Sequence, residues 1–262
     1  MNKILFKFIH GFGNRLCNLM NMFYIHEKYP ETLIFINWVI NNHCGIHIND
    51  IIDLKEHSFI LSYDDYEKNK SAKDNTLEIW ASTSANEITK WDNIEEWKKH
   101  KYIVSVSFHL YSFVTTEYCR NIFNSCLVFK EDITNIVKTK TVKYGVNKKI
   151  IHFRNGDLLH LLSINESLDN VNSIIEKVEL LNKDYFLFEY NQFKVDRNYN
   201  DVLESIADLI YLSKYNNVIG YCPYSHFSSW IFVLSSNFID NNQKYPIFNY
   251  KIIDIIVLED KT

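Results

Sequence analysis

The sequence predicts an α/β protein with parallel sheets, on the basis of three observations. Short apolar runs of strand length alternate with longer segments whose apolar residues recur every three or four positions, as in amphipathic helices. Strands that alternate with helices favour parallel sheets joined by right-handed crossovers. Three polar or glycine-containing segments directly follow predicted strands, where ligands bind in open α/β sheets. The length of 262 residues allows one large domain or two small ones.

The first half of the chain begins with a predicted strand at residues 4–9, a glycine turn and a helix at residues 14–27. Four apolar residues give that helix its periodicity: Leu16, Leu19, Met20 and Phe23. Further strands are predicted at residues 32–37, 58–63, 77–80 and 102–108. The polar segment at residues 63–75 is predicted to be a solvated loop, and residues 116–140 are predicted to be helical.

The second half alternates more regularly. Strands are predicted at residues 150–153, 185–188, 217–220 and 252–257. Helices are predicted at residues 168–181, at residues 202–212 and after Ser225. The turn around Gly145 is interpreted as the domain boundary, which divides the chain into residues 1–145 and residues 146–262.

Composition excludes several classes of protein. The net charge of -4 argues against a broad basic surface for nucleic acid. The five cysteines are widely spaced and form no C-x-x-C pair, so neither a zinc site nor a redox motif is indicated. No apolar run reaches the ~18 residues expected of a membrane span. A cytoplasmic protein with free thiols is therefore expected.

The most informative segment is His152-Phe153-Arg154-Asn155-Gly156-Asp157, which follows the predicted strand at residues 150–153. The chain has only four arginines and 6 glycines, yet two of the arginines and three of the glycines fall in this segment and in the first glycine turn. An arginine fork binds phosphate bidentately and keeps its charge. The segment predicts an anion site, with an ordinary turn as the alternative.

Two other turns have similar character. Gly11-Phe12-Gly13-Asn14-Arg15 follows the first strand, and Asn14 is predicted to cap the next helix, although no third glycine completes a dinucleotide motif. Ser225-His226-Phe227-Ser228 stands where a late helix starts, and hydroxyl groups and free amides there suit phosphate oxygens. The alternative for both is a capped strand–helix connection without a ligand.

The ordered set of motifs resembles the GT-B fucosyltransferase superfamily, which includes bacterial and viral fucosyltransferases and the protein O-fucosyltransferases. Phe12-Gly13-Asn14-Arg15 is similar to the family's F-G-N-Q turn, with Arg15 in place of glutamine. The segment from His152 to Asp157 fits its H-x-R-x-G-D motif, and the segment from Ser225 to Ser228 fits its S-x-F-S motif. An aspartate followed by leucine in the preceding helix is matched at Asp208. The chain departs from the family at Glu189, where many relatives have an aspartate.

The resemblance implies a GT-B-like fold, with two Rossmann-like domains whose parallel sheets face a cleft. It implies an acceptor-side domain at residues 1–145 and a nucleotide-sugar-binding domain at residues 146–262. The implied activity is inverting transfer of fucose from GDP-fucose to a hydroxyl group of a glycan or glycoconjugate. Another nucleotide sugar as donor and a non-catalytic nucleotide- or glycan-binding protein remain alternatives.

The resemblance also implies roles for individual residues. Arg154 would stabilise charge on the leaving diphosphate, His152 would hold the donor, and Asp157 would orient the turn. Residues of the two other motifs would bind the nucleotide sugar: Phe12, Gly13, Asn14, Arg15, Ser225, His226, Phe227 and Ser228. No metal or cofactor is expected, because the sequence has no D-x-D motif and Asp64 and Asp65 stand adjacent in a polar segment.

Overall fold

The structure is a computed structural model, and it describes residues 3–53, 57–80, 94–106, 110, 114–153, 185–189, 197–221, 226–235 and 256–257. The chain divides into two compact units, Met1–Lys130 and Glu131–Thr262. In the described part of the chain, no helix combines the length and the apolar character that crossing a membrane requires.

The described elements of the first unit alternate between strands and helices. They are β1 (Lys3–Phe8), α1 (Phe12–Lys28), β2 (Leu33–Trp38), a 3-10 turn (Ile48–Asp50), β3 (Ile60–Leu61), α2 (Tyr63–Asn69), β4 (Thr76–Trp80), α3 (Ile94–Trp97), β5 (Tyr102–Val106) and α4 (Thr116–Ser125). The strands pair in the order β3-β2-β1-β5-β4, and all the pairs are parallel. The predicted parallel sheet is therefore confirmed in this unit.

Strands β1 and β5 lie at the centre of this sheet and are mostly apolar, as expected of strands covered on both faces. One core cluster joins three of the strands to α2 and contains Leu5, Phe35, Tyr66, Tyr102, Val104 and Val106. The ring of Tyr66 packs edge-on against those of Phe35 and Tyr102, at centroid distances of 5.6 and 5.5 Å.

Helix α2 corrects the prediction of a solvated loop over its first part, residues 63–69, whereas residues 70–75 do form a loop. Its first turn is closed by a capping box, in which the Ser62 hydroxyl accepts from the backbone N–H of Asp65 and the Asp65 carboxylate accepts from that of Ser62. The box satisfies amide groups that the first turn leaves free. Tyr66 is the one buried residue of this otherwise charged helix, so apolar periodicity is too weak to reveal it.

The second unit begins with a helix, α5 (Glu131–Tyr144). Its other described elements are β6 (Lys149–Phe153), β7 (Tyr185–Glu189), α6 (Tyr199–Tyr215), β8 (Asn217–Tyr221), α7 (His226–Leu234) and β9 (Ile256–Val257). The sheet order is β7-β6-β8-β9, with β9 antiparallel to β8 and the other pairs parallel. The helix predicted at residues 168–181 lies outside the described residues.

The helical segment predicted at residues 116–140 is two helices, α4 and α5, and the division between the two compact units falls between them. Helix α5 packs on α6, where the Tyr144 and Tyr211 rings lie 6.2 Å apart and the Tyr211 hydroxyl donates to the carbonyl of Gly145 at 3.0 Å. The second unit therefore starts earlier than the boundary expected at Gly145, because α5 covers α6.

Candidate functional site

The second sheet reverses its winding at β6. Strand β7 follows β6 in the chain and pairs on one side of it, whereas β8 pairs on the other side. Ligands bind in open α/β sheets outside the carboxyl ends of the strands at such a switch point. His152 stands near the carboxyl end of β6, and α7 starts shortly after the carboxyl end of β8. The fold therefore brings two of the sequence motifs to one edge of this sheet.

A hydrogen bond joins these two motifs directly. The His152 Nδ1 lies 2.7 Å from the Ser228 Oγ, although the residues are 76 positions apart in the chain. The His152 and Phe227 rings lie 5.8 Å apart, and the exposed fractions of His152 and Ser228 are 2% and 0%. Ser228 belongs to the first turn of α7, where amide groups face outward from the helix end. Three predicted site residues, His152, Phe227 and Ser228, thus form one cluster.

The structure does not describe all the site residues that the sequence predicts in this unit. Arg154, Asp157 and Ser225 lie outside the described residues. Arg154 directly follows the last residue of β6, and His226 is the first residue of α7. Their predicted roles stay predictions.

Replacing Ser228 with alanine is expected to destabilise the second unit by about 1–3 kcal/mol, because the buried imidazole of His152 loses a hydrogen-bond partner. Ser229→Ala is the matched control. The hydroxyl of Ser229 is buried without a partner among the described residues, so its removal should cost less than about 0.5 kcal/mol. Chemical denaturation of both variants measures the difference. Equal losses would mean that the bond to His152 adds no stability.

Asp208, the other residue of the second unit that resembles the family pattern, is held by an ion pair on α6. Its Oδ1 lies 2.9 Å from the Lys140 Nζ of α5, which also lies 2.7 Å from the Glu204 Oε2. The contact to Asp208 has ion-pair distance but not hydrogen-bond geometry. Burial raises the pKa of Asp208 to about 6, and the charge of Lys140 opposes that rise. This arrangement joins two helices and indicates a structural role for Asp208.

The glycine turn of the first unit also follows a switch point. Strand β1 pairs with β2 on one side and with β5 on the other, and the turn leaves the carboxyl end of β1. Helix α1 starts at Phe12 with Gly11 as its N-cap. The prediction that Asn14 caps this helix is wrong: Asn14 lies inside the first turn, and its backbone N–H donates to the carbonyl of Gly11 at 3.0 Å. The turn uses no side-chain cap and no acidic residue.

Arg15 is buried beneath this turn. Its Nε donates to the carbonyl of His10, and its Nη2 donates to the carbonyl of Val39 at 2.6 Å and lies 3.5 Å from the Asn41 Oδ1. Its guanidinium carbon lies 4.5 Å from the centre of the Trp38 ring. The side chain therefore ties the carboxyl end of β1 to that of β2, which the sequence motif alone does not indicate.

Asn41 completes this connection and was missed by sequence reasoning. Its Nδ2 donates to the carbonyl of Ile9 at 2.6 Å, and its Oδ1 accepts from the backbone N–H groups of His43 and Cys44 at 3.0 and 3.1 Å. An asparagine that accepts from the amides two and three residues later is typical of an Asx turn. The run Asn41-Asn42-His43-Cys44-Gly45 contains that signal, but the contact to Ile9 is long-range.

His10 stands between β1 and the glycine turn. Burial, then the nearby His43, then the Arg15 guanidinium lower the pKa of His10 to about 4. The two imidazole rings lie 6.4 Å apart. The His10 side chain is therefore neutral near pH 7, and Arg15 supplies the positive charge beside the turn.

The described residues contain no group of three or more His, Cys, Asp or Glu side chains placed to hold a metal ion. The residues that surround the two turns are instead imidazole, hydroxyl, amide and guanidinium groups. These groups suit hydrogen bonding to an oxygen-rich ligand.

Most of the chain is similar in fold to solved fucosyltransferases. NodZ from Bradyrhizobium matches with a TM-score of 0.55 and 14% identity, over 89% of this chain and 93% of that chain. NodZ α-1,6-fucosyltransferase co-crystallised with GDP gives a TM-score of 0.57 and 14% identity, over 89% and 92% of the two chains. A mutant of FUT1 from Arabidopsis thaliana in complex with GDP gives 0.58 and 11%, over 89% and 68%.

No protein-family model matches the sequence, and no curated protein matches it. The likeness to these proteins is therefore one of fold. The chain has the fold of these fucosyltransferases, which confirms the α/β, GT-B-like fold class predicted from its motifs.

Proposed function

We propose that the chain is a fucosyltransferase that moves fucose from GDP-fucose to a hydroxyl group of a glycan or glycoconjugate. The observation that carries the proposal is the contact between His152 and Ser228, which unites two sequence motifs at the switch point of the second sheet. The fold likeness to NodZ, whose structures include one co-crystallised with GDP and one soaked with GDP-fucose, supports the choice of donor.

In the proposed reaction, the bond between the sugar C1 and the β-phosphate oxygen breaks, and the acceptor oxygen bonds to C1 from the opposite face. The acceptor hydroxyl gives its proton to solvent, and GDP leaves with the electron pair of the broken bond. Negative charge grows on the diphosphate as the first bond breaks. A fixed cation aimed at that oxygen stabilises the transition state more than the ground state. We assign this role to Arg154, which follows β6.

The other residues of the site bind and orient the donor in this proposal. His152 and Ser228 hold each other in place by their hydrogen bond, and the amides of the first turn of α7 suit phosphate oxygens. Phe12, Gly13 and Asn14 offer the helix N-terminus of α1 to an anionic group. In this proposal the positive charge of Arg154 does the work of a divalent ion at the leaving diphosphate. We therefore expect transfer to persist in EDTA.

A donor panel tests the proposal. We expect GDP to raise the melting temperature of the protein, since a ligand bound only by the folded state adds about 2.7 kcal/mol at a hundred times its Kd. We also expect GDP release from GDP-fucose in preference to UDP-sugars and other GDP-sugars. Turnover restricted to a donor without guanine would refute the GDP assignment. Stabilisation by GDP with no turnover of any donor, over a range of glycan acceptors, would favour a binding protein.

A further inference from the structure

Residues 57–59 connect the edge of the first sheet to two helices. They directly precede β3, the edge strand, which pairs with β2 through two residues. The backbone N–H of Ile60, the first residue of β3, donates to the carbonyl of His57 at 3.0 Å. The imidazole Nε2–H of His57 donates to the carbonyl of Cys126, at the end of α4, at 2.9 Å. Because so short a strand forms few ladder hydrogen bonds, the position of β3 depends on the contacts of the segment before it.

Four rings attach this segment to the last turns of α1. The ring of Phe59 stacks on the imidazole of His26, with a centroid distance of 3.7 Å and an interplanar angle of 4°. Phe23, one turn earlier in α1, packs edge-on against the rings of Phe59 and His57, at centroid distances of 5.5 and 4.9 Å. The rings of His57 and Phe59 lie 5.9 Å apart. Two of the four rings are therefore imidazoles, which a proton can charge.

A proton on His26 would place a positive charge inside this ring cluster. Burial, then the nearby imidazole of His57, lower the pKa of His26 below its ordinary value of 6.5. The other titratable groups at the ends of α1 and α4 interact with one another: Glu27, Lys28, Tyr24, Tyr118 and Cys126. The stacked arrangement therefore favours the neutral imidazole of His26.

We propose that residues 57–59 form an acid-released latch, which holds β3 against α1 and α4 near neutral pH and opens when His26 is protonated. Proton binding determines the direction. Because the closed latch binds fewer protons than the open one, it is stable above about pH 6.5 and loses stability as pH falls below that value. Release would expose the rings of Phe23 and Phe59 and the edge of β2, and an exposed strand edge can pair with another chain. The inference is independent of the proposed function.

Hydrogen exchange at single amides tests the latch. In the unaltered protein, we expect the protection factor of the Ile60 N–H to fall several-fold between about pH 7.5 and about pH 5, with a smaller change at Phe6 in the central strand β1. His26→Phe keeps a ring for the stack and cannot take a proton, so it should lose this dependence on pH. His43→Phe, the matched control, replaces an exposed histidine in the loop after β2 and should keep it. Equal protection of Ile60 at both pH values, a fall that persists in His26→Phe, or one that also disappears in His43→Phe would overturn the inference.

A titration of the unaltered protein covers the case in which His26→Phe does not fold. The Cε1–H resonance of His26 is expected to titrate with a midpoint below 6.5, and the ring resonances of Phe59 are expected to move with the same midpoint. A cation–π attraction between a protonated His26 and the face of Phe59 would instead raise that midpoint. A midpoint above 6.5, or Phe59 resonances that do not follow the titration of His26, would rule out the latch.

Discussion

Replacing Arg154 with alanine is expected to lower kcat for fucosyl transfer by about 10²–10³, equivalent to about 3–4 kcal/mol of transition-state stabilisation. In the proposed mechanism, the growing charge on the leaving diphosphate then loses the cation assigned to it. Steady-state kinetics with GDP-fucose measures the fall in kcat. A fall in kcat larger than the change in KM identifies an interaction made mainly in the transition state.

Lys214→Ala provides the control for this loss. Lys214 is exposed in the last turn of α6, and this helix ends just before β8 begins, so the change removes a positive charge at the edge of the sheet opposite the switch point. Its kcat is expected to stay within about twofold of the unaltered enzyme, as for surface substitutions remote from chemistry. Arg154→Ala with unchanged transfer, or an equal loss from Lys214→Ala, would contradict the assigned role.

The fold was predictable where the apolar pattern is strong. Strand β1 and helix α1 could be predicted, because an apolar run is followed by Leu16, Leu19 and Met20 at helical spacing. All three residues are buried. Helix α2 was not recognised, since only Tyr66 in it is buried and charged residues surround that position. Its signal was local and polar, the capping pair Ser62 and Asp65. Capping chemistry therefore carried information that hydrophobic periodicity did not.

The candidate site was predictable as motifs but not as contacts. The order of the motifs predicted that His152 and Ser228 belong to one nucleotide-sugar site. The pairing of β6 with β8 explains why the two side chains are in contact. The network of Arg15 and Asn41 could not be derived in the same way. Asn41 reaches back to Ile9 across two strands, and no spacing rule links an asparagine after β2 to a carbonyl after β1. Long-range polar contacts of this kind depend on strand register, which the sequence does not state.

Replacing Lys140 with methionine is expected to destabilise the second unit by about 3–5 kcal/mol, because the carboxylate of Asp208 would remain buried without its cation. The side chains of Lys140 and Asp208 are 16% and 5% exposed, whereas Glu204 is about half exposed and keeps its contact with water. Methionine retains the length and the apolar stem of lysine, so the change removes mainly the charge. Guanidinium denaturation followed by circular dichroism measures the loss.

The loss of stability in Lys140→Met should also increase as pH rises. Lys140 lowers the pKa of Asp208 against the effect of burial, so its removal raises that pKa further above the value in the unfolded chain, about 3.9. The folded variant then binds more protons than the unfolded chain between these two values, and its stability falls as pH rises through that window. The difference from the unaltered protein should therefore be smaller near about pH 5 than near about pH 8.

Two further variants show whether the ion pair causes this behaviour. Lys138→Met changes an exposed lysine on the same helix and should cost less than about 0.5 kcal/mol at either pH. Adding Asp208→Leu to Lys140→Met removes the unpaired carboxylate and should recover most of the stability and abolish the added pH dependence. If Lys140→Met costs no more than Lys138→Met, or if the double variant is no more stable than the single one, the pair between α5 and α6 does not hold the second unit together.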